Sequence, residues 1–397
     1  MELTTVKDAL EIILKSAEDF GIEEIDFLQS SGRILQENIV ADRDFPPFNR
    51  VSMDGIAISS EAFNNGIRSF KIEGIQAAGS PQLSLKNTEN CIEAMTGAVL
   101  PKNTDAVIQY ELLTIENNSA TVNLEAVKEF QNVHLKGLDR KQGDVLIPKD
   151  ILISAAEISV FATVGKEKVK VAKQPKVMIV STGNELVEVD QIPAEHQIRR
   201  SNVYALVSLL EKLQIKAETA HILDDKETLT STIEGFLNEY DVLLFSGAVS
   251  KGKFDFIPEV LNNLGVQKLF HQVKQRPGKP FWFGKKQHKT VFAFPGNPVS
   301  TFVSCLKYFY PWYYKSVNLE MPKNEAILSE DFYFKPNLTY FLQVKLTQEE
   351  GKLYATPIAG KGSGDLANLV DADAFLELPD DSTNFTKGTI FPIIKFR

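Results

Sequence analysis

The sequence predicts a multidomain α/β plus β protein, and three observations support this fold class. The 397 residues are enough for two to four domains, and 43% of them are hydrophobic. From residue 176 onward, short apolar runs alternate with amphipathic helical patterns, which is typical of a doubly wound parallel sheet. On either side of that region, alternating polar and apolar residues predict β-strands. We therefore expect a central doubly wound α/β domain, a β-rich insertion and a small C-terminal β-barrel-like domain.

The N-terminal region predicts a helix and then an extended segment. Residues 4–19 place Val6, Leu10 and Ile13 on one helical face, with Thr4 or Thr5 as the N-cap. The Pro46-Pro47 pair forbids a continuing helix. A helical pattern returns after residue 150, and KVKVAKQP predicts a strand that ends near a domain boundary at residue 175. We predict that residues 1–50 and 139–174 form one discontinuous linker or helical domain.

The remaining boundaries follow from changes in periodicity. Residues 51–138 contain short alternating runs broken by Gly, Asn and Pro, which predict the β-rich inserted domain. Residues 175–320 carry the α/β pattern, and residues 321–397 return to alternation as a C-terminal β-domain.

Polar residues crowd the turns that follow the predicted parallel strands. These turns lie at residues 181–185, 224–225, 246–255 and 295–300. Ligands of such sheets lie at the carboxyl ends of the strands, and glycine turns that open a helix aim N–H groups at oxyanions. The segment QRPGKP adds two cations, Arg276 and Lys279, between prolines that fix the backbone. Together, two glycine turns flanking a basic hairpin predict a site for a multiply anionic ligand.

The whole-chain composition excludes several classes of function. The net charge of −9 argues against nucleic acid or an anionic membrane as the main partner. The two cysteines, Cys91 and Cys305, show no metal spacing and fit a reduced, cytoplasmic protein. No signal-peptide pattern and no apolar run near the ~18 residues of a membrane span is found. Protease, zinc-enzyme and hydrolase-triad motifs do not occur.

Several of the polar turn residues have two interpretations. Asp255 precedes a helical pattern with Pro258 in its first turn, so it is either an N-cap or a carboxylate that binds Mg²⁺ beside a phosphate. Asp224 and Asp225 similarly either cap the next helix or face a ligand. The cations Arg276 and Lys279 are either solvated or preorganised for an oxyanion.

Taken together, the motifs resemble the molybdopterin molybdenumtransferase family, which includes MoeA and the E domain of gephyrin. The order and spacing of the motifs carry this resemblance over nearly the whole chain. They are SMDGIAI, MTGAVLPKNTDAVIQYE, GLDRKQGD, VMIVSTGNELVE, SNVYAL, SGAVSKGKFDF, RPGKPFWFG, FPGNPVS and GSGDL.

The resemblance implies a four-domain fold in an elongated homodimer, with a molybdopterin-binding, MogA-like α/β domain. It implies an enzyme that inserts molybdate into adenylylated molybdopterin with Mg²⁺-dependent release of AMP, giving the molybdenum cofactor. The enzyme that adenylylates molybdopterin is a candidate further partner. Two alternatives stay open: an enzyme resembling that adenylyltransferase, or a non-catalytic dimeric scaffold of the gephyrin E-domain type.

The resemblance also implies the site residues. The catalytic positions are Asp54, Thr96, Glu185, Asp224 and Asp255, of which Glu185, Asp224 and Asp255 would bind the metal. The substrate-binding positions are Asp139, Ser181, Thr182, Gly183, Ser246, Gly247, Ser250, Arg276, Lys279, Pro280, Pro295, Gly296, Asn297, Ser300 and Ser363. The positions in the N-terminal half would complete the site across the dimer.

This chain departs from the family pattern at several positions. Arg276 stands where Lys is usual, Asn184 where Asp is typical, and Ala248 where Gly is common. His134 and Gln343 replace usual arginines, and Lys345 is a candidate to compensate for the second loss.

Overall fold

The computed structural model describes residues 3–247, 249, 255–358, 362 and 364–397, which form two compact units. The first unit contains residues 1–36, 150–154 and 168–397, and the second contains residues 37–149 and 155–167. The four-domain division predicted above stays a prediction.

The first unit is built on a six-stranded sheet that confirms the doubly wound α/β domain. In spatial order its strands are Ala217–Ile222, Val177–Thr182, Val242–Ser246, Lys289–Phe294, Trp282–Lys286 and Gln267–His271. The first four strands are parallel, as predicted for a doubly wound sheet, and the last two strands pair antiparallel at its edge. The cause is the two-residue turn at Gln287 and His288, because so short a connection can join only antiparallel strands.

Alternate residues of each central strand face two separate hydrophobic cores. Val177 and Ile179 contribute to one core and Met178 and Val180 to the other, as the period of a strand requires. Helices Val6–Lys15, Asn202–Glu211 and the long helix beginning at Pro298 pack in the first core. Helices Lys226–Glu239 and Ile257–Asn263 pack in the second.

The long helix after the last central strand contains a π-helical segment. It runs as an α-helix over Pro298–Ser304, as a π-helix over Cys305–Phe309 and again as an α-helix over Tyr310–Ser316. Pro311 explains the wider turn, because proline has no N–H and its ring collides with the carbonyl four residues earlier in a regular helix.

The predicted C-terminal β-domain is a closed five-stranded barrel. Its strands are Asn324–Leu328, Thr339–Glu349, Lys352–Pro357, Ala374–Leu378 and Ile390–Lys395. The short strand Gln275–Arg276, which belongs to the α/β part of the chain, pairs in parallel with Thr339 and Tyr340 of the barrel. Smaller elements of this first unit are the strand pairs Ile22–Asp26 with Lys168–Ala172, Leu186–Val187 with Ile198–Arg199, and Phe332–Tyr333 with Asn384–Phe385, the 3₁₀ turn Phe27–Gln29 and the helix Asn368–Asp371.

The second unit is centred on another six-stranded sheet, as the alternating pattern predicts. In spatial order its strands are Ala106–Gln109, Gly55–Ile58, Cys91–Ala94, Ser69–Gln76, Ser119–Val122 and Leu113–Glu116. Gly55 is required by close approach, since a Cβ there would lie 1.8 Å from the carbonyl oxygen of Ile108. The unit also contains the strand pairs Arg50–Val51 with Val133–His134 and Ile39–Val40 with Val145–Ile147, the helices Ser60–Asn64 and Ala155–Thr163, and the 3₁₀ turn Tyr110–Leu112.

No helix in the described ranges combines the length and hydrophobicity that crossing a membrane demands.

Candidate active site

A cavity of about 1180 Å³ lies at the carboxyl ends of the central strands of the first unit. Its opposite wall comes from the barrel, through Leu338, Tyr340, Phe341, Gln343 and Ile358. The structure brings many of the predicted site residues to this cavity. They are Ser181, Thr182, Gly183, Glu185, Asp224, Ser246, Gly247, Asp255, Arg276, Lys279, Pro280, Pro295, Gly296, Asn297 and Ser300.

The carboxylates Glu185, Asp224 and Asp255 line one part of the cavity. Gly183 adopts a φ of 137°, a conformation that favours glycine, and a Cβ on it would lie 2.6 Å from the Glu185 carboxylate and would displace that side chain. Burial, with the nearby charges of Glu185 and Asp255, raises the pKa of Asp224. Its Oδ1 is buried and has no hydrogen-bond partner among the described residues.

The structure shows which of the aspartates cap a helix and which line the cavity. Asp225 is the N-cap of helix Lys226–Glu239, and its side chain accepts a hydrogen bond from the Thr228 N–H at 2.8 Å. Asp224 lies outside that cap, and its own N–H donates to Asn184 Oδ1 at 3.0 Å. The N-cap of the helix that follows Asp255 is Phe256. Neither Asp224 nor Asp255 therefore serves as the N-cap of the following helix.

The donor set suits a magnesium ion that is shared with a ligand. In the described part of the chain, no three His, Cys, Asp or Glu side chains are grouped so that they would hold a metal ion. Mg²⁺ usually takes only one or two carboxylates from a protein and completes its shell with phosphate oxygens and water. The unpartnered Oδ1 of Asp224 and the mutual repulsion of the carboxylates fit such a cation.

The raised pKa of Asp224 predicts a pH-dependent stability. Because the folded state binds this proton more tightly than the unfolded chain, stability falls as pH rises from the ordinary aspartate range through the raised pKa. We expect Asp224→Asn to unfold at a higher urea concentration than wild type near neutral pH, and the difference to shrink towards about pH 4. Urea titrations at several pH values measure this difference. Asp225 is the control, because its hydrogen bonds with Thr228 lower its pKa, so Asp225→Asn should give no such gain.

Two glycine turns meet beside the carboxylates. Gly247 has a φ of 110°, and a Cβ there would lie 3.1 Å from the Thr182 carbonyl oxygen. Asn202 joins the two turns, because its Nδ2 donates to Ser246 Oγ at 2.9 Å and to the Gly296 carbonyl at 2.7 Å. These contacts fix the backbone at the ends of two adjacent strands, where N–H groups can face an anion.

The loop that bears Arg276 and Lys279 lines the cavity from the barrel side. The guanidinium of Arg276 lies 5.8 Å from the centre of the Phe334 ring, and that ring stacks on Tyr340 at 4.3 Å. Lys274, just before the loop, is paired with Asp380 at 2.6 Å. The cavity therefore combines three carboxylates with the loop cations Arg276 and Lys279.

The comparisons with known proteins agree along the whole chain. Three family models match in order: the MoeA N-terminal region (domain I and II) over residues 4–165, the probable molybdopterin binding domain over 178–313, and the MoeA C-terminal region (domain IV) over 325–396. A curated molybdopterin molybdenumtransferase of Synechocystis sp. is 40% identical over 98% of this chain and 99% of its own length. The chain belongs to the molybdopterin molybdenumtransferase family.

Other relatives agree with this membership. A curated molybdopterin molybdenumtransferase of Staphylococcus epidermidis is 31% identical over 98% of this chain and 95% of its own. The crystal structure of a molybdopterin biosynthesis MoeA protein from Pyrococcus horikoshii superposes with a TM-score of 0.85 at 30% identity, with both chains fully covered.

The second unit holds three further positions that the molybdopterin molybdenumtransferase resemblance implies. Asp54 Oδ1 accepts a 2.6 Å hydrogen bond from the Thr96 N–H, which lowers the pKa of Asp54. Asp139 Oδ1 lies 2.8 Å from Nε2 of His134, the residue that replaces a usual family arginine. Their part in the site stays a prediction, and Ser250 and Ser363 lie outside the described residues.

The structure does not support the expected compensation by Lys345 for the arginine that Gln343 replaces. Lys345 Nζ binds Asp373 at 3.1 Å, and Lys345 is not among the cavity-lining residues. Gln343 itself lines the cavity, and its Oε1 accepts a 2.7 Å hydrogen bond from Asn368.

Several cavity residues were missed by sequence reasoning. Arg199 and Arg200 line the cavity, and the buried Arg200 forms an ion pair with Glu188. Asn202 is equally hard to recognise as a site residue, because polar residues are common at the start of a helix. Two signals were available: the polar run RRSN directly before a helical pattern, and the position of Asn202 within the motif SNVYAL.

Proposed function

We propose that this enzyme of molybdenum cofactor biosynthesis inserts molybdate into adenylylated molybdopterin and releases AMP in a Mg²⁺-dependent step. The observation that carries the proposal is the cavity that joins three carboxylates with the loop cations Arg276 and Lys279 within one unit of a chain from this family. The reaction needs both the carboxylates and the loop cations, because one substrate carries a pyrophosphate and the other is a separate dianion.

The carboxylate part suits the pyrophosphate of the adenylylated pterin. One or two of the carboxylates of Glu185, Asp224 and Asp255 would hold Mg²⁺ together with oxygens of the pyrophosphate, and the bound ion would neutralise the pyrophosphate charge and favour departure of AMP. The turns at Gly247 and Gly296, locked by Asn202, would orient the phosphates through backbone N–H groups.

The cationic part suits molybdate, a tetrahedral dianion. Arg276 and Lys279 would bind its oxygens by charge-assisted hydrogen bonds, and Ser300 would add a hydroxyl from the start of the helix after PGNP. Holding the dianion beside the pterin converts a bimolecular encounter into a reaction between bound partners.

Turnover of the purified protein tests the function. Adenylylated molybdopterin should yield AMP only when both molybdate and Mg²⁺ are present, with sulfate in place of molybdate as the control. AMP release that ignores molybdate contradicts the insertion reaction. Transfer of AMP from ATP to molybdopterin would instead identify an adenylyltransferase.

We also propose that the protein acts as a cytoplasmic homodimer whose site is completed by Asp54, Thr96 and Asp139 of a second subunit. A mixed dimer of Asp54→Ala and Asp224→Asn chains then contains one intact site. We expect about half of the wild-type activity in such heterodimers, purified with two different tags, although each homodimer is inactive. Heterodimers as inactive as both parents would place all of these residues in one subunit's site.

A further inference from the structure

The residue directly before the cationic loop is a buried amide. Gln275 is only 1% exposed, and its Nε2 donates to the carbonyls of Pro277 at 3.0 Å and Gly278 at 3.4 Å. Its Oε1 accepts a hydrogen bond from the hydroxyl of Tyr308, which is also fully buried. A buried amide is costly unless it is satisfied, so this side chain fits only while the loop keeps its conformation.

The loop is packed closely against this amide and the long helix. Gly278 has a φ of 90°, and a Cβ on it would lie 2.8 Å from Gln275 Nε2 and 3.0 Å from Ser304 Oγ. The backbone of Gln275 and Arg276 pairs with the barrel strand at Thr339 and Tyr340. Amide, helix and barrel therefore fix the backbone between the two cations.

We propose that Gln275 and Tyr308 are positioning residues for the oxyanion, a role that rests on the proposed function of the cavity. Arg276 and Lys279 have long side chains, and each loses rotamer freedom when it binds a ligand. A fixed backbone between them limits that cost and keeps their spacing suited to one tetrahedral dianion. Gln275 and Tyr308 thus act on molybdate affinity through the loop.

Tyr308→Phe tests this role, with Tyr310→Phe as its matched control. Both variants lose one tyrosine hydroxyl from the same helix, but the Tyr310 hydroxyl donates to the Leu209 carbonyl at 2.7 Å, and Tyr310 is not among the cavity-lining residues. We expect Tyr308→Phe to raise the molybdate Kd in equilibrium dialysis, and the KM for molybdate, about tenfold. Tyr310→Phe should change neither more than about twofold. The KM for adenylylated molybdopterin should stay unchanged in both.

Gln275→Glu provides an independent variant if Tyr308→Phe does not fold. A glutamate still accepts from Tyr308 but can no longer donate to the Pro277 and Gly278 carbonyls, so molybdate binding should again weaken. Unchanged molybdate affinity in the folded variants, or an equal loss in Tyr310→Phe, would overturn the positioning role. Dialysis of the wild-type protein also distinguishes the positioning role from the proposed reaction. If the wild type binds molybdate but releases no AMP, only the proposed reaction is contradicted. If the wild type binds no molybdate, the positioning role of Gln275 and Tyr308 is contradicted as well.

Discussion

Asp224→Asn is expected to lower molybdate-dependent AMP release at least ~100-fold, because the pyrophosphate then loses a carboxylate that would hold its cation. The side chain keeps its size, so the cavity keeps its shape. The loss should lie in kcat at saturating molybdate, and raising Mg²⁺ should restore part of it. Initial rates of AMP release over a Mg²⁺ series measure both effects.

Asp225→Asn is the matched control for this prediction. The neighbouring carboxylate caps a helix, and asparagine caps helices about as well as aspartate. Activity within about twofold of wild type is therefore expected of Asp225→Asn. Full turnover by Asp224→Asn, or equal losses in the two variants, would contradict the metal role of Asp224.

Removing both loop cations is expected to raise the KM for molybdate at least ~100-fold, since hydrogen bonds to charged groups each contribute about 1.5–3 kcal/mol. The variant is Arg276→Ala combined with Lys279→Ala. Binding of adenylylated molybdopterin should change much less, because its pyrophosphate is assigned to the other part of the cavity. Steady-state kinetics with each substrate varied in turn separate these two effects.

Lys274→Ala provides the control for the cation pair. Lys274→Ala removes one positive charge two residues from Arg276, half of the charge lost in the double variant, but the Lys274 Nζ pairs with Asp380 and Lys274 is not among the cavity-lining residues. A molybdate KM that rises as much in Lys274→Ala as in the double variant would show that general charge, not the loop cations, governs binding.

Sequence periodicity predicted the part of the site that depends on local structure. The small-residue turns after strands were recognisable because glycine and proline restrict the backbone locally. The same reasoning could not distinguish Asp224 from Asp225, because two adjacent aspartates before a helix are equally able to cap it. The distinction depends on which residue adopts the extended N-cap conformation, with a φ of −117° and a ψ of 123° at Asp225.

Residues that act through distant partners could not be predicted. The role of Gln275 depends on its hydrogen bond with Tyr308. The role of Asn202 depends on its hydrogen bonds with Ser246 and Gly296, and all of these partners are far away in sequence. Likewise, the sequence could not show that Lys345, the candidate to replace a lost arginine, pairs with Asp373. Such contacts depend on tertiary packing, which periodicity does not describe.

The pairing of Gln275–Arg276 with the barrel has a consequence for protein engineering. The barrel strand Thr339–Glu349 is bordered by this segment as well as by two strands of its own barrel. In a chimera that exchanges only residues 321–397 with a relative, the strand Gln275–Arg276 of this chain would pair with a barrel strand from the relative. The exchangeable module therefore includes residues 275–276, and crossover points chosen from linear sequence alone would divide it.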